Sequence, residues 1–190
     1  MHTPMQLVIL DRDGVINEDS AADIKSPEEW IPIPGSLEAI ARLHRAGWHV
    51  VVVTNQSGIA RKLFNPDILV RIHEKMHRSV SDAGGLIDAI FFCPHGPHDS
   101  CNCRKPMPGL FLDIASRLHI SLYGVPAIGD SLQDVLAARA AGAHPILVRS
   151  GKGAESSIVC DMPSDIPVYD NLACAVDDLL AIDHRNNPNI

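Results

Sequence analysis

Apolar positions in this chain fall into two rhythms. Short, near-continuous runs stand at residues 6–10, 48–53, 88–92, 126–129 and 145–148. Runs this uniform suit strands covered on both faces. Between them lie longer stretches with apolar residues every three or four positions, as in Leu37, Ile40, Ala41 and Leu43. That spacing predicts helices over 36–46, 65–83, 108–118 and 131–141. The boundaries carry their own signals. Ser36 and Ser131 are placed to cap helices, Pro66 and Pro108 to open them, and Gly47 and Gly84-Gly85 to end them. Residues 18–35 lack periodicity and hold Pro27, Pro32, Pro34 and Gly35, the mark of a functional loop. Residues 151–167 read as loop, and 171–182 as a last helix.

Strands alternating with helices predict an α/β fold, a doubly wound parallel sheet sandwich with helices on both faces. In such folds sites form beyond the carboxyl ends of the strands. The polar signals collect there. The first run stops at Asp11-Arg12-Asp13-Gly14, the second at Thr54-Asn55-Gln56-Ser57-Gly58, and the fourth at Asp130; Arg104-Lys105 follow the third after a long loop. Two carboxylates with a glycine turn suit a hard cation or phosphate chemistry, although an Asp-rich turn capping a strand gives the same local string.

Composition narrows the partners. The 190 residues are 46% hydrophobic and 21% charged, with net charge −7, ordinary for one globular domain and against a nucleic-acid surface. No run reaches membrane-spanning length and no signal-peptide pattern opens the chain. The expectation is a single domain over 1–190, cytoplasmic, monomeric, without membrane or nucleic-acid partners. Five cysteines are present, and Cys93, Cys101 and Cys103 crowd together with His95 and His98. Three thiolates and an imidazole suit tetrahedral zinc in a reducing compartment, stapling the loop over 93–103. Cys160 and Cys174 are expected to pack as small apolar residues, and His2, His44, His49, His73, His77, His119, His144 and His184 to lie on the surface or half-buried without named partners.

Taken in order, Leu10-Asp11-Arg12-Asp13-Gly14, Val53-Thr54-Asn55-Gln56, Lys105, and Ile128-Gly129-Asp130 with Asp134 resemble the four motifs of the haloacid dehalogenase superfamily, over about residues 7–150. The strings Thr54 to Arg61 and Cys93-Pro94-His95…Cys101-Asn102-Cys103-Arg104-Lys105-Pro106 are similar to its branch of heptose bisphosphate phosphatases, which lack a large cap domain. The resemblance implies strand order 3-2-1-4-5. It implies Asp11 as nucleophile through an aspartyl-phosphate and Asp13 as general acid, then base. Magnesium would sit on Asp11, the Asp13 carbonyl and Asp130. The substrate, a small sugar phosphate, would meet Asp19, Thr54, Asn55, Gln56, Ser57, Arg104 and Lys105. The family pattern selects His95 over His98, making the zinc set Cys93, His95, Cys101 and Cys103. Asp134 reads as a helix N-terminal acid or a support behind the ligands.

Two positions depart from the branch: Ser20-Ala21-Ala22-Asp23 replaces a His-Gly-Tyr-type string, and Ser131 replaces a lysine. Histidinol-phosphate phosphatase shares the cysteine-histidine loop, and a polynucleotide 3′-phosphatase has a similar second motif. A receiver-like regulatory module would also cluster acids at strand ends, but would not turn over phosphate.

Overall fold

A computed structural model of the chain describes residues 5–158 and 161–186. Six parallel strands form one sheet in the order β3-β2-β1-β4-β5-β6. They are β1 (Leu7–Leu10), β2 (His49–Asn55), β3 (Ala89–Cys93), β4 (Pro126–Gly129), β5 (His144–Val148) and β6 (Val168–Tyr169). The expected order 3-2-1-4-5 holds, extended by β6. That strand went unread because two half-exposed residues offer no apolar run, and its pairing partners are Leu147 and Val148, distant in sequence.

Side-chain alternation along the strands divides the interior in two. Val8, Leu10, Val50 and Val52 face α1 (Ser36–Arg45), α2 (Pro66–Asp82) and α6 (Leu172–Asn186). Leu7, Ile9, Val51 and Val53 face α3 (Gly109–Leu118) and α4 (Leu132–Ala140). Successive residues of one strand feed opposite cores, so β1 and the Val50–Val53 run of β2 had to be apolar throughout. A short helix, α5 (Gly153–Ser156), follows β5 inside the segment expected to be loop. Among the described residues no helix is long and apolar enough to cross a membrane.

Most boundaries follow the expected chemistry. Asn65 Oδ1 accepts from Ile68 N at 2.9 Å, with Pro66 in the first turn. Ser131 and Asp134 form a reciprocal capping box at α4, which satisfies two backbone N–H groups at that helix's start. Ser36 does otherwise. The cap position of α1 is Gly35, and the Ser36 hydroxyl donates to Ile16 O at 2.6 Å. The hydroxyl pins the loop after β1 to the helix, since a buried polar group takes whatever partner lies nearest.

Candidate active site and metal centre

The strand ends bring the expected acids and cations together around an open cleft of about 530 Å³. Asp11, Asp13, Asp19, Thr54, Asn55, Gln56, Ser57, Arg104, Lys105 and Asp130 all line it. Each does something specific there.

Lys105 is buried and reaches across the sheet edge. Its ammonium lies 3.0 Å from Asp11 Oδ1 and 3.0 Å from Val53 O, and pairs with Asp134. Burial opposes its charge, but Asp11 and Asp134 hold the ammonium above the usual lysine range. Asp11 also shifts upward, which for a carboxyl favours the neutral form. Burial raises its pKa well above the carboxylate range, Lys105 opposes, and Asp134, Asp130 and Asp13 add repulsion. Asp130, also buried, is raised to about 7 by burial and by Asp134. The carboxyl oxygens of Asp11, Asp130 and Asp134 converge within 4.8 Å. Crowded hard oxygens that resist ionisation fit a divalent cation such as magnesium, which favours the charged form of each ligand. Asp134 is committed to Lys105 and to Ser131 N. Asp11 and Asp130 are therefore the carboxylates best placed to hold the ion.

Asp13 lies in a cage of donors. Arg12, fully buried, donates from Nε at 3.0 Å and from Nη2 at 2.8 Å; Asn17 Nδ2 and Gln56 Nε2 add bonds at 2.9 Å. Burial alone would raise the Asp13 pKa, but the Arg12 charge and these bonds outweigh it and hold the group below the usual range. The cage thus favours the ionised form of Asp13. Gln56 also donates to Thr54 Oγ1 at 2.9 Å, so its amide is spent on protein groups. So is that of Asn55, which clamps the Lys105 backbone through Nδ2 to O at 3.2 Å and Oδ1 to N at 3.1 Å. Both line the cleft, as expected of substrate contacts, and their amides also hold Lys105, Thr54 and Asp13 in place.

In the sequence alone Arg12 has no assigned role, His73 is expected on the surface or half-buried without a named partner, and Lys152 is not singled out. His73 Nε2 stands 3.4 Å from Arg12 Nη1 and its ring meets Phe92 edge-on. Burial first, then the Arg12 charge, lowers its pKa to about 3. Lys152 lines the cleft and pairs with Asp19 at 2.9 Å. The signal for Arg12 was present: a cation flanked by two carboxylates at the end of an apolar strand. His49 also has a partner, Asp88 at 2.9 Å.

The cysteine-histidine loop folds the four expected ligand atoms together. Cys93 Sγ lies 3.4 Å from His95 Nδ1, 3.1 Å from Cys103 Sγ and 3.9 Å from Cys101 Sγ, and His95 Nδ1 is 3.2 Å from Cys103 Sγ. Tetrahedral zinc with bonds of about 2.0–2.3 Å requires N–S and S–S edges of roughly 3.5 and 3.8 Å; the Cys93–Cys101 and Cys93–His95 edges match within about 0.1 Å, and Cys93–Cys103 would open by about 0.7 Å to take the ion. Burial pushes the Cys93 thiol up to about 12, which a bound cation reverses. His98 is exposed, outside the cluster. Cys174 does not pack as expected: it is exposed on α6. Cys160 and His2 lie outside the described residues.

A family model described as polynucleotide kinase 3 phosphatase matches residues 6–128, and one described as HAD-hydrolase-like matches 102–175. The D-glycero-beta-D-manno-heptose-1,7-bisphosphate 7-phosphatase of Bordetella bronchiseptica is 54% identical over 176 residues, covering 93% of this chain and 98% of that protein. The chain belongs to the heptose bisphosphate phosphatase family. Within that family, the Pseudomonas putida protein of the same name is 49% identical over 93% of this chain and all of its own. The crystal structure of the B. bronchiseptica phosphatase, complexed with magnesium and phosphate, superposes with a TM-score of 0.92, covering 94% of this chain and 99% of that one. A second heptose bisphosphate phosphatase, from Burkholderia thailandensis, is 43% identical with a TM-score of 0.74, covering 93% and 99%. Membership in the haloacid dehalogenase superfamily, without a large cap, follows from the sheet order and these relatives.

Proposed function

We propose that this chain removes the 7-phosphate from D-glycero-β-D-manno-heptose 1,7-bisphosphate, as one phosphatase domain over 1–190. The observation that carries the reading is the convergence of Asp11, Asp13, Lys105 and Asp130 on one cleft in a chain 54% identical to a phosphatase whose crystal structure is described as complexed with magnesium and phosphate. Magnesium, held by Asp11, Asp130 and the Asp13 carbonyl, would supply positive charge to the phosphoryl oxygens. Asp11 attacks phosphorus, forming an aspartyl-phosphate as the sugar oxygen leaves. Asp13 delivers a proton to that oxygen and then draws one from the attacking water. Thr54 and Lys105 hold the phosphoryl group where charge shifts during transfer.

The donor cage constrains the proton step. Asp13 is held ionised by Arg12, Asn17 and Gln56, the form that serves as base. To act as acid it must take up a proton once an anionic phosphate enters and opposes its charge. Arg104 lines the cleft with Nη1 bonded to His95 O at 3.2 Å, placing a planar fork for the second phosphate of the substrate. Asp19 and Ser57 line the same cleft for sugar hydroxyls. Zinc on Cys93, His95, Cys101 and Cys103 fixes the loop that carries Arg104 and Lys105. Free thiols fit a reducing cytoplasm, and the chain acts there as a monomer feeding heptose into lipopolysaccharide precursors.

Comparing kcat/KM across the heptose bisphosphate, histidinol phosphate and a 3′-phosphorylated oligonucleotide tests the assignment. The heptose bisphosphate is expected to lead by orders of magnitude; a lead for either of the others refutes it.

A further inference from the structure

The segment that leaves β5 packs directly onto the two carboxylate motifs, and no role for it follows from the reaction as described. Ser150 Oγ donates to Gly14 O at 2.7 Å, joining the segment to the turn that follows Asp13. Gly151 has φ +60°, and a Cβ there would fall 2.3 Å from Asp130 Oδ2 and 2.5 Å from Gly14 Cα. Lys152 N donates to the same Asp130 Oδ2 at 2.7 Å. Gly14 crowds the same oxygen: its φ is +79°, and a Cβ would meet Asp130 Oδ2 at 2.1 Å. One carboxylate oxygen is thus walled by two glycines and engaged by a backbone N–H. The hydrogen bonds found among the described residues leave the second oxygen open.

We infer that Ser150-Gly151-Lys152 is a positioning element for the divalent cation, fixing Asp130 so that Oδ1 alone is presented to it. The inference rests on the reading of Asp130 as a magnesium ligand. A carboxylate hydrogen-bonded at one oxygen and packed against two glycines loses the rotation that would cost binding entropy. Partners that orient a metal ligand are commonly worth ~10–100-fold in affinity. The device acts through the backbone. The Lys152 ammonium points elsewhere, to Asp19, and its side chain is 61% exposed.

Magnesium titration of the full chain by calorimetry tests this. Gly151→Ala pushes a methyl into Asp130 Oδ2 and is expected to weaken magnesium binding by about 10–100-fold, with zinc content unaltered. Lys152→Ala keeps the N–H and is expected to bind magnesium as the parent chain does. Parent-like affinity in Gly151→Ala overturns the inference, as does a loss in Lys152→Ala equal to that in Gly151→Ala. Should Gly151→Ala not fold, Ser150→Ala decides, since it removes only the bond to Gly14 O: weakened binding supports the brace and unchanged binding overturns it. Asp130→Asn separates the two layers. Unchanged magnesium binding there refutes Asp130 as a ligand; lost binding there, with parent-like binding in Gly151→Ala, refutes the brace alone.

Discussion

The guanidinium of Arg12, with no exposed surface, grips the carboxylate of its neighbour Asp13 through Nε and Nη2 at 2.8–3.0 Å. Breaking a buried pair leaves an uncompensated charge, which costs about 3–5 kcal/mol. Arg12→Ala is therefore expected to lower stability by about that amount and to turn over more slowly, because Asp13 loses its orientation. Arg12→Lys keeps the charge and loses the fork, and falls between the two. Denaturant melts with phosphate-release assays check both. Parent-like stability in Arg12→Ala would remove the pair from the account.

Asp13 itself separates by leaving group. Asp13→Asn is expected to slow turnover by roughly 10²–10⁴-fold on a sugar phosphate, the usual worth of general acid–base catalysis. An aryl phosphate, whose leaving group needs less protonation, should suffer less. Equal losses on both would argue against proton delivery by this residue.

The acids around the cation site give a signed pH dependence. Asp130 in the metal-free fold titrates near 7, above the ordinary 3.8, chiefly through burial and Asp134. Its charged form is a cost to the fold above pH 7. As pH falls from 7 towards 4 the folded state takes up the proton first, and the metal-free chain gains stability from this group. Magnesium needs the carboxylate, so protons compete below 7, with affinity falling by up to about tenfold per pH unit. The rise in Tm on adding magnesium should accordingly be larger at about pH 8 than at about pH 6. The opposite order, measured by thermal shift, contradicts the assignment of Asp130.

The zinc loop predicts one zinc per chain in protein purified without chelator. Cys101→Ser and Cys103→Ser should lose it, and with it both stability and Lys105 placement, because a structural metal contributes folding energy directly. Elemental analysis of the purified variants checks this; unchanged zinc content in both would refute the site.

Under the proposed role for Arg104 at the second phosphate, its contact would serve only substrates that possess that group. Arg104→Ala should lower kcat/KM for the heptose bisphosphate far more than for a small phosphate ester. Equal losses mean that it acts on the reacting phosphate or through the zinc loop.

The parallel α/β sandwich and the acids on one sheet edge were legible because both follow from local pattern, whereas the strand order 3-2-1-4-5 came from the family resemblance. Apolar runs mark buried strands, and parallel topology sends their carboxyl ends to one side. The grouping of Cys93, His95, Cys101 and Cys103 was legible for the same reason, lying within eleven residues. What escaped were pairings distant in sequence. Nothing near Lys152 announces Asp130, 22 positions earlier, and nothing near Gln56 announces that its Nε2 bridges Thr54 and Asp13. Ser36 has a capping residue's chemistry, yet Ile16 O lay nearer. β6 exists because Leu147 and Val148 offer an edge, not because Val168 and Tyr169 favour a strand.

The most direct test of the central claim is phosphorus NMR of the products from D-glycero-β-D-manno-heptose 1,7-bisphosphate, with magnesium, comparing the parent chain with Asp11→Asn. The parent is predicted to release the 7-phosphate and leave the 1-phosphate on the sugar, while the folded Asp11→Asn chain releases none, because an amide is no nucleophile. Loss of the 1-phosphate first, or substantial turnover by Asp11→Asn, would contradict the account.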